Sequence, residues 1–193
     1  MKNLKLIAFL ISLTFVFACK NEKKTEEVIE VEEIEEIKTP EKEQSGMVMT
    51  LSPKSGSTVN GTVNFIYENG TVSMTANMTG LTEGTHAIHI HDKADCSSDD
   101  GKSTGGHWNP TAQPHGEWGD EKGYHKGDIG NFEVGTDGIG KVQFKTDQWC
   151  IGCGDPNKDI SGKAIIVHQG TDDFVSQPSG AAGKRISCAG IIE

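Results

Sequence analysis

The sequence predicts an all-β domain of eight short strands, closed as a barrel or packed as a sandwich. Three observations carry this. From about Met47 onward apolar and polar residues alternate in short bursts, as in MVMTLSPKSGSTVNGTVNFIYENGTVSMTANMTGLTEGTHAIHIH. The bursts are punctuated by SPKSG, ENG and GLTEG, which are turn sequences. Period-two alternation turns one face of each burst toward a core, and eight such bursts within about 150 residues are enough for sheets that each bury one face.

In chain order, strands are expected at 47–51, 60–67, 71–78 and 86–91. Residues 92–127 follow, rich in Gly, Asp and His and with little periodicity. That is too long for a plain connection, and loops of this length usually carry a function. Something other than a hydrophobic core has to order it. Strands resume at 131–134, 139–145, 163–168 and 185–191.

Two segments precede the domain expected over 46–193. Residues 1–18 have Lys2 and Lys5, then an apolar stretch broken only by Ser12 and Thr14, and end on Ala18 before Cys19. A positive start, a short apolar middle and a small residue at the break read as an export signal. VFAC resembles a bacterial lipoprotein signal, whose cleavage leaves Cys19 first and acylated. An uncleaved anchor and ordinary cleavage with a free Cys19 are the alternatives. Residues 19–45 hold ten Glu against five Lys, and a charged tether is the simplest reading. The leader contributes +2 and the tether −5, which leaves −7 of the net −10 for the domain. An acidic chain with 17 Lys and a single Arg, Arg185, has no evident surface for tracking phosphates, which argues against nucleic acid as a partner. Only one long apolar run exists, so a multispan membrane protein is excluded.

The histidines supply the ordering agent. Of seven, six lie between His86 and His125, and the seventh, His168, ends the strand GKAIIVH. His89 and His91 are two apart in a strand, so both point to one face, and His86 points to the other. With His107, His115, His125 and Asp128 following, the donors suit zinc, and several imidazoles together also suit copper.

The segments GLTEGTHAIHIHD, GGHWNP, PHGEWGDEKGYHKGDIGN, GKAIIVHQGTDD and GAAGKRISCAG, in this order, resemble the copper, zinc superoxide dismutases. The resemblance runs from about Met47 to Ile192. It implies an eight-stranded Greek-key barrel, immunoglobulin-like in architecture, with the metals outside it under long loops. It implies one copper per subunit on His89, His91, His107 and His168, and one zinc on His107, His115, His125 and Asp128. His107 would bridge the metals and His86 would be structural. Asp172 would accept hydrogen bonds from His89 and His115, orienting both rings. Arg185 would guide the anion, and Cys96 would pair with Cys188, which needs an oxidising compartment.

The implied reaction converts two superoxide anions and two protons to O2 and H2O2 while copper alternates between Cu(II) and Cu(I). Superoxide is then the substrate and the lipid the link to a membrane, and a homodimer is compatible with the family. The location is the bacterial cell envelope, facing the periplasm or the cell surface. Lys184 and Arg185 supply part of a positive channel, although the charged loop is short here, DDFVSQPSGAAGK. Trp108 stands where the family usually has Phe. A non-catalytic copper- and zinc-binding lipoprotein of the same fold is the alternative function. The remaining cysteines, in WCIGCGDP, lie in a loop the family does not require. A local Cys150–Cys153 disulfide is the favoured arrangement, with free thiols or metal ligation as alternatives.

Overall fold

A computed structural model of the chain describes residues 44–192. The leader, Cys19 and the tether up to residue 43 lie outside the described residues. The eight strands are β1 (Gln44–Pro53), β2 (Asn60–Glu68), β3 (Thr71–Thr79), β4 (Gly84–His91), β5 (Gly130–Val134), β6 (Gly140–Thr146), β7 (Ala164–His168) and β8 (Arg185–Gly190). They fall where the alternation places them. β1 starts earlier than expected because β2 is long enough to pair Gln44 with Glu68, which draws two residues read as tether into the strand.

The strands form one antiparallel sheet in the order β5-β4-β7-β8-β1-β2-β3-β6. β3 lies beside β6 and β4 beside β7, the crossovers of a Greek key. The ends of this order, β5 and β6, touch each other, so the sheet nearly closes. Its narrowest seam is β1 with β8, where only Ser52 with Cys188 and Pro53 with Ser187 are paired. The result is the expected all-β barrel, flattened toward a sandwich of two four-stranded halves.

The inner faces make the core. On β3, Val72, Met74, Ala76 and Met78 are buried at alternate positions, and they join Leu51, Val63, Phe65 and Trp149. Each of the Val, Leu, Met and Phe side chains contributes about 1.5–3 kcal/mol relative to exposure. β4 and β7 are different, being buried on both faces at their C-terminal ends. Ile88, Ile90, Ile165 and Val167 enter the barrel core. Ala164 and Ile166 face outward and form a second small cluster with Cys188 and Cys96. His89, His91 and His168 share that outward parity, so loops must cover them.

The covering is stitched to β4 by its backbone. β5 pairs with β4 only as far as Ile88, which would leave the edge at Ile90 bare. Loop residues take over: the Ile90 amide donates to the Gly127 carbonyl at 2.9 Å, and the Trp108 amide donates to the Ile90 carbonyl at 2.8 Å. The Gly127 amide closes the circuit on the Trp108 carbonyl at 3.0 Å. Residue 127 has to be glycine, because a Cβ there would run into the Ile90 carbonyl oxygen. Farther along, the Cys96–Cys188 disulfide ties the first part of the loop to β8, with Cα atoms 5.9 Å apart. Among the described residues no helix is long and apolar enough to cross a membrane.

Candidate metal centre

Stitching Trp108 and Gly127 to Ile90 delivers their neighbours. His107 arrives opposite His91 as an isolated bridge pair, while His125 and Asp128 flank Gly127. β7 adds His168, next to β4 in the sheet. Two donor groups result: His89, His91, His107 and His168, and His107, His115, His125 and Asp128. Every member is buried, the donor atoms within each group lie within 4.8 Å of one another, and His107 belongs to both.

Hydrogen bonds fix which nitrogen is free in four of the rings. His89 donates from Nε2 to Asp172 Oδ2 at 2.8 Å, and His91 donates from Nδ1 to the Gly105 carbonyl at 3.0 Å. His115 donates from Nε2 to Asp172 Oδ1 at 2.9 Å. His107 Nδ1 faces Asp128 Oδ1 at 2.8 Å. The buried atoms left without a hydrogen bond are His89 Nδ1, His91 Nε2, His107 Nε2, His115 Nδ1, His125 Nδ1 and both nitrogens of His168. Clustered lone pairs with no proton between them repel, and a cation removes that cost.

The second group gives a sharper test. His115 Nδ1 lies 3.0 Å from Asp128 Oδ2 and His125 Nδ1 lies 3.3 Å from Asp128 Oδ1, yet neither nitrogen makes a hydrogen bond. Donors on a tetrahedral ion at about 2.0–2.1 Å stand roughly 3.3 Å apart, so this spacing suits ligands sharing a zinc-like ion. Asp128 is itself held, accepting at Oδ2 from the amides of Gly116 at 3.2 Å and His125 at 2.8 Å. The first group, all imidazole, has the donor chemistry that copper takes.

The electrostatics keep His91, His107 and His168 ready as donors. Burial pushes His107 down to about 4 despite its bond to Asp128. Burial, then the neighbouring imidazoles and Arg185, hold His91 and His168 well below their ordinary range, so these rings are neutral near pH 7. Burial opposes ionisation of Asp128 and Asp172, but the imidazoles set against them, with His107 bonded to Asp128 and His89 and His115 bonded to Asp172, outweigh it and hold both below the usual carboxylate range. Burial likewise lowers His115, yet Asp128 and Asp172 on either side push it up to about 9.

His86 stands apart from both groups. Its Nδ1 donates to the His168 carbonyl at 2.9 Å, Thr82 Oγ1 lies 3.2 Å from Nε2, and the ring stacks on Phe132. It therefore pins the end of β7 from the inner side of β4. Arg185 is the cross-strand partner of His168. Its Nη1 donates to the Gly101 carbonyl at 2.9 Å and to Thr104 Oγ1 at 3.0 Å. A cleft of about 970 Å³ opens over the first group, lined among others by His91, His107, His168, Lys102, Lys184 and Arg185.

Several contributors have no signal in the sequence. Gln177 clamps the backbone of His115: its Oε1 accepts from the His115 amide at 2.9 Å and its Nε2 donates to the His115 carbonyl at 2.9 Å. Gly180 packs flat on the Asp172–His115 contact, and a Cβ there would run into the carboxylate. The indole of Trp149 donates to the Lys126 carbonyl at 2.8 Å, next to His125. The sulfurs of Cys96 and Cys188 are joined, as are those of Cys150 and Cys153.

Known proteins agree with this architecture. A family model described as copper/zinc superoxide dismutase (SODC) matches residues 59–191. Among solved structures, a SOD-like protein from Bacillus subtilis is 29% identical with a TM-score of 0.66, covering 75% of this chain and 97% of its own. A double mutant of that protein is 30% identical with a TM-score of 0.67, covering 76% and 97%. A protein described as the clock protein EA4 is 30% identical with a TM-score of 0.65, covering 77% and 95%. The likeness extends over the barrel and the loops that carry both donor groups, and the chain belongs to the copper/zinc superoxide dismutase family.

Proposed function

We propose that the protein dismutates superoxide, with copper held by His89, His91, His107 and His168 and zinc held by His107, His115, His125 and Asp128. The observation that carries this reading is the double orientation of His107. Its Nδ1 faces Asp128 in one group while its Nε2 faces the other group unbonded. A bound copper would supply one-electron exchange between Cu(II) and Cu(I), and zinc would supply fixed charge and rigidity.

The chain's own residues do the rest. Arg185 sits on the cleft and attracts a small anion, held in place by Gly101 and Thr104. His107 Nε2 can hold and release a proton beside that anion, because its Nδ1 stays turned toward Asp128. Asp172 keeps His89 and His115 in the tautomers that present Nδ1. Lys184 on the rim offsets the acidic surface locally, while Lys102 is paired with Asp100 at 3.1 Å.

Residues 1–18 serve as an export signal, Cys19 carries lipid, and the tether holds the domain off a bacterial envelope membrane. The Cys96–Cys188 disulfide supports an oxidising compartment. A non-catalytic metal-binding lipoprotein is the second reading, favoured by similarity to a protein described only as SOD-like. One experiment separates them. Protein loaded with copper and zinc should consume superoxide, lose that activity when copper is removed, and keep it on mild reduction of Cys150–Cys153. Loaded protein without turnover selects the binding reading, and mass spectrometry of the mature N-terminus tests the lipid at Cys19.

A further inference from the structure

The loop between β6 and β7 carries chemistry that neither donor group uses. Cys150, Cys153 and Asp159 bring two sulfurs and a carboxylate oxygen within 4.8 Å of one another. The backbone is arranged around them. The Cys150 amide donates to the Lys158 carbonyl at 2.8 Å and the Ile160 amide to the Cys150 carbonyl at 3.1 Å, which sets Cys150 beside Asp159. The carboxylate is oriented by three amides: Oδ1 accepts from Gly152 at 3.0 Å and Ser161 at 3.0 Å, and Oδ2 accepts from Gly154 at 2.8 Å. The Ser161 hydroxyl also bonds the carboxylate, so a metal entering here takes the place of that hydroxyl. Cys150 is buried, Asp159 half-buried and Cys153 exposed, which opens the cluster to solvent on one side.

We propose that this loop is a third metal site, closed while Cys150 and Cys153 are joined and opened by a dithiol reductant. In the opening step the S–S bond breaks and the dithiol supplies two electrons and two protons. Its own sulfurs become a disulfide, and the two protein thiols are left. A thiophilic divalent cation such as zinc then binds, displacing the two thiol protons, with the Asp159 carboxylate as third ligand and solvent as fourth. Two thiolates and a carboxylate form a donor set that zinc accepts, and C-x-x-C is the ligand spacing of structural zinc loops. On a tetrahedral ion the sulfurs stand roughly 3.7 Å apart. With the Cα atoms 6.0 Å apart, side-chain rotation alone reaches that separation. The carboxylate is already positioned, so little further ordering is needed on binding.

The test uses the full-length copper- and zinc-loaded protein, with cobalt as the probe because thiolate ligation gives it a charge-transfer band. Protein reduced with dithiothreitol and desalted without oxygen is titrated with cobalt beside untreated protein. The reduced form is expected to take about one more cobalt per chain, with the thiolate band. Asp159→Asn, which leaves the cysteines in place, is expected to weaken that binding at least tenfold, on the order seen when a metal's supporting groups are lost. Cys150→Ser/Cys153→Ser is expected to show no extra cobalt. Absence of an extra cobalt in reduced protein overturns the site. So does equal affinity in Asp159→Asn, or an equal band in the double-serine variant, which would place the metal on Cys96 and Cys188. None of these readings depends on whether the loaded protein dismutates superoxide.

Discussion

Arg185 Nη1 reaches across to the Gly101 carbonyl at 2.9 Å, so the chain's single arginine is held by the loop that Cys96 ties to β8. Gly101 is close-packed against it: a Cβ at that position would lie 3.3 Å from Arg185 Cβ. The guanidinium is fixed before any anion arrives, and that is the condition under which a positive group stabilises a reacting anion most.

Replacing this group should separate metal binding from turnover. Arg185→Ile is expected to lower superoxide turnover about ten- to a hundredfold, with copper and zinc content unchanged. Metal analysis beside a pulse-radiolysis assay checks it. An unchanged rate would remove Arg185 from the reaction.

Gly180→Ala tests the contact between the two loops. The added methyl meets Asp172 and His115, so the ring orientation of a zinc-side donor is lost. Zinc affinity is expected to fall about 10- to 100-fold. Gly170→Ala is the control, since a Cβ there lies at an ordinary 3.5 Å from the Ala182 carbonyl. Competition with a chelator measures both, and equal affinities would mean that Gly180 has room to spare.

Trp149→Phe removes the donor to the Lys126 carbonyl and keeps most of the ring volume. A net loss of about 1 kcal/mol in stability is expected, and zinc should leave faster while copper affinity is unaffected. Stopped-flow release of zinc reads this directly; an unaltered rate would show that His125 is positioned without the indole.

The metal-free protein should be most stable near neutral pH. His91, His107 and His168 titrate below their ordinary 6.5 in the folded chain, so below that value the unfolded chain binds more protons and stability falls as pH falls. Asp128 and Asp172, also lowered, extend the loss into more acidic solution. His115 has the opposite sign: raised to about 9, its contribution is full below 6.5 and is lost as pH rises through 9. The urea midpoint is therefore expected to drop from pH 7 to pH 5, and to drop again toward pH 9. A midpoint at pH 5 no lower than at pH 7 would contradict neutral burial of the three imidazoles.

The strands were legible because alternation is local: the residues that made β3 recognisable, Val72, Met74, Ala76 and Met78, are those it buries. The parity of His89 and His91 against His86 was legible for the same reason, and the structure sets His86 on the inner side with Thr82 and Phe132. Gln177, Gly180 and Trp149 were not legible. Each acts on a residue far along the chain through one backbone group or one close approach, and neither leaves a periodic trace. The identity of residue 127 was visible as a glycine, but its purpose is visible only once Ile90 is opposite it.

The two faces of β4 carry one further consequence. Ile88 and Ile90 alternate with His89 and His91, so a shift of a single residue would put imidazoles into the barrel and isoleucines beneath the loops. The oily interior rejects that exchange with or without an ion in place. The strand thereby proofreads its own chemistry: a chain that has passed the test of packing has already aimed two of its donors the right way.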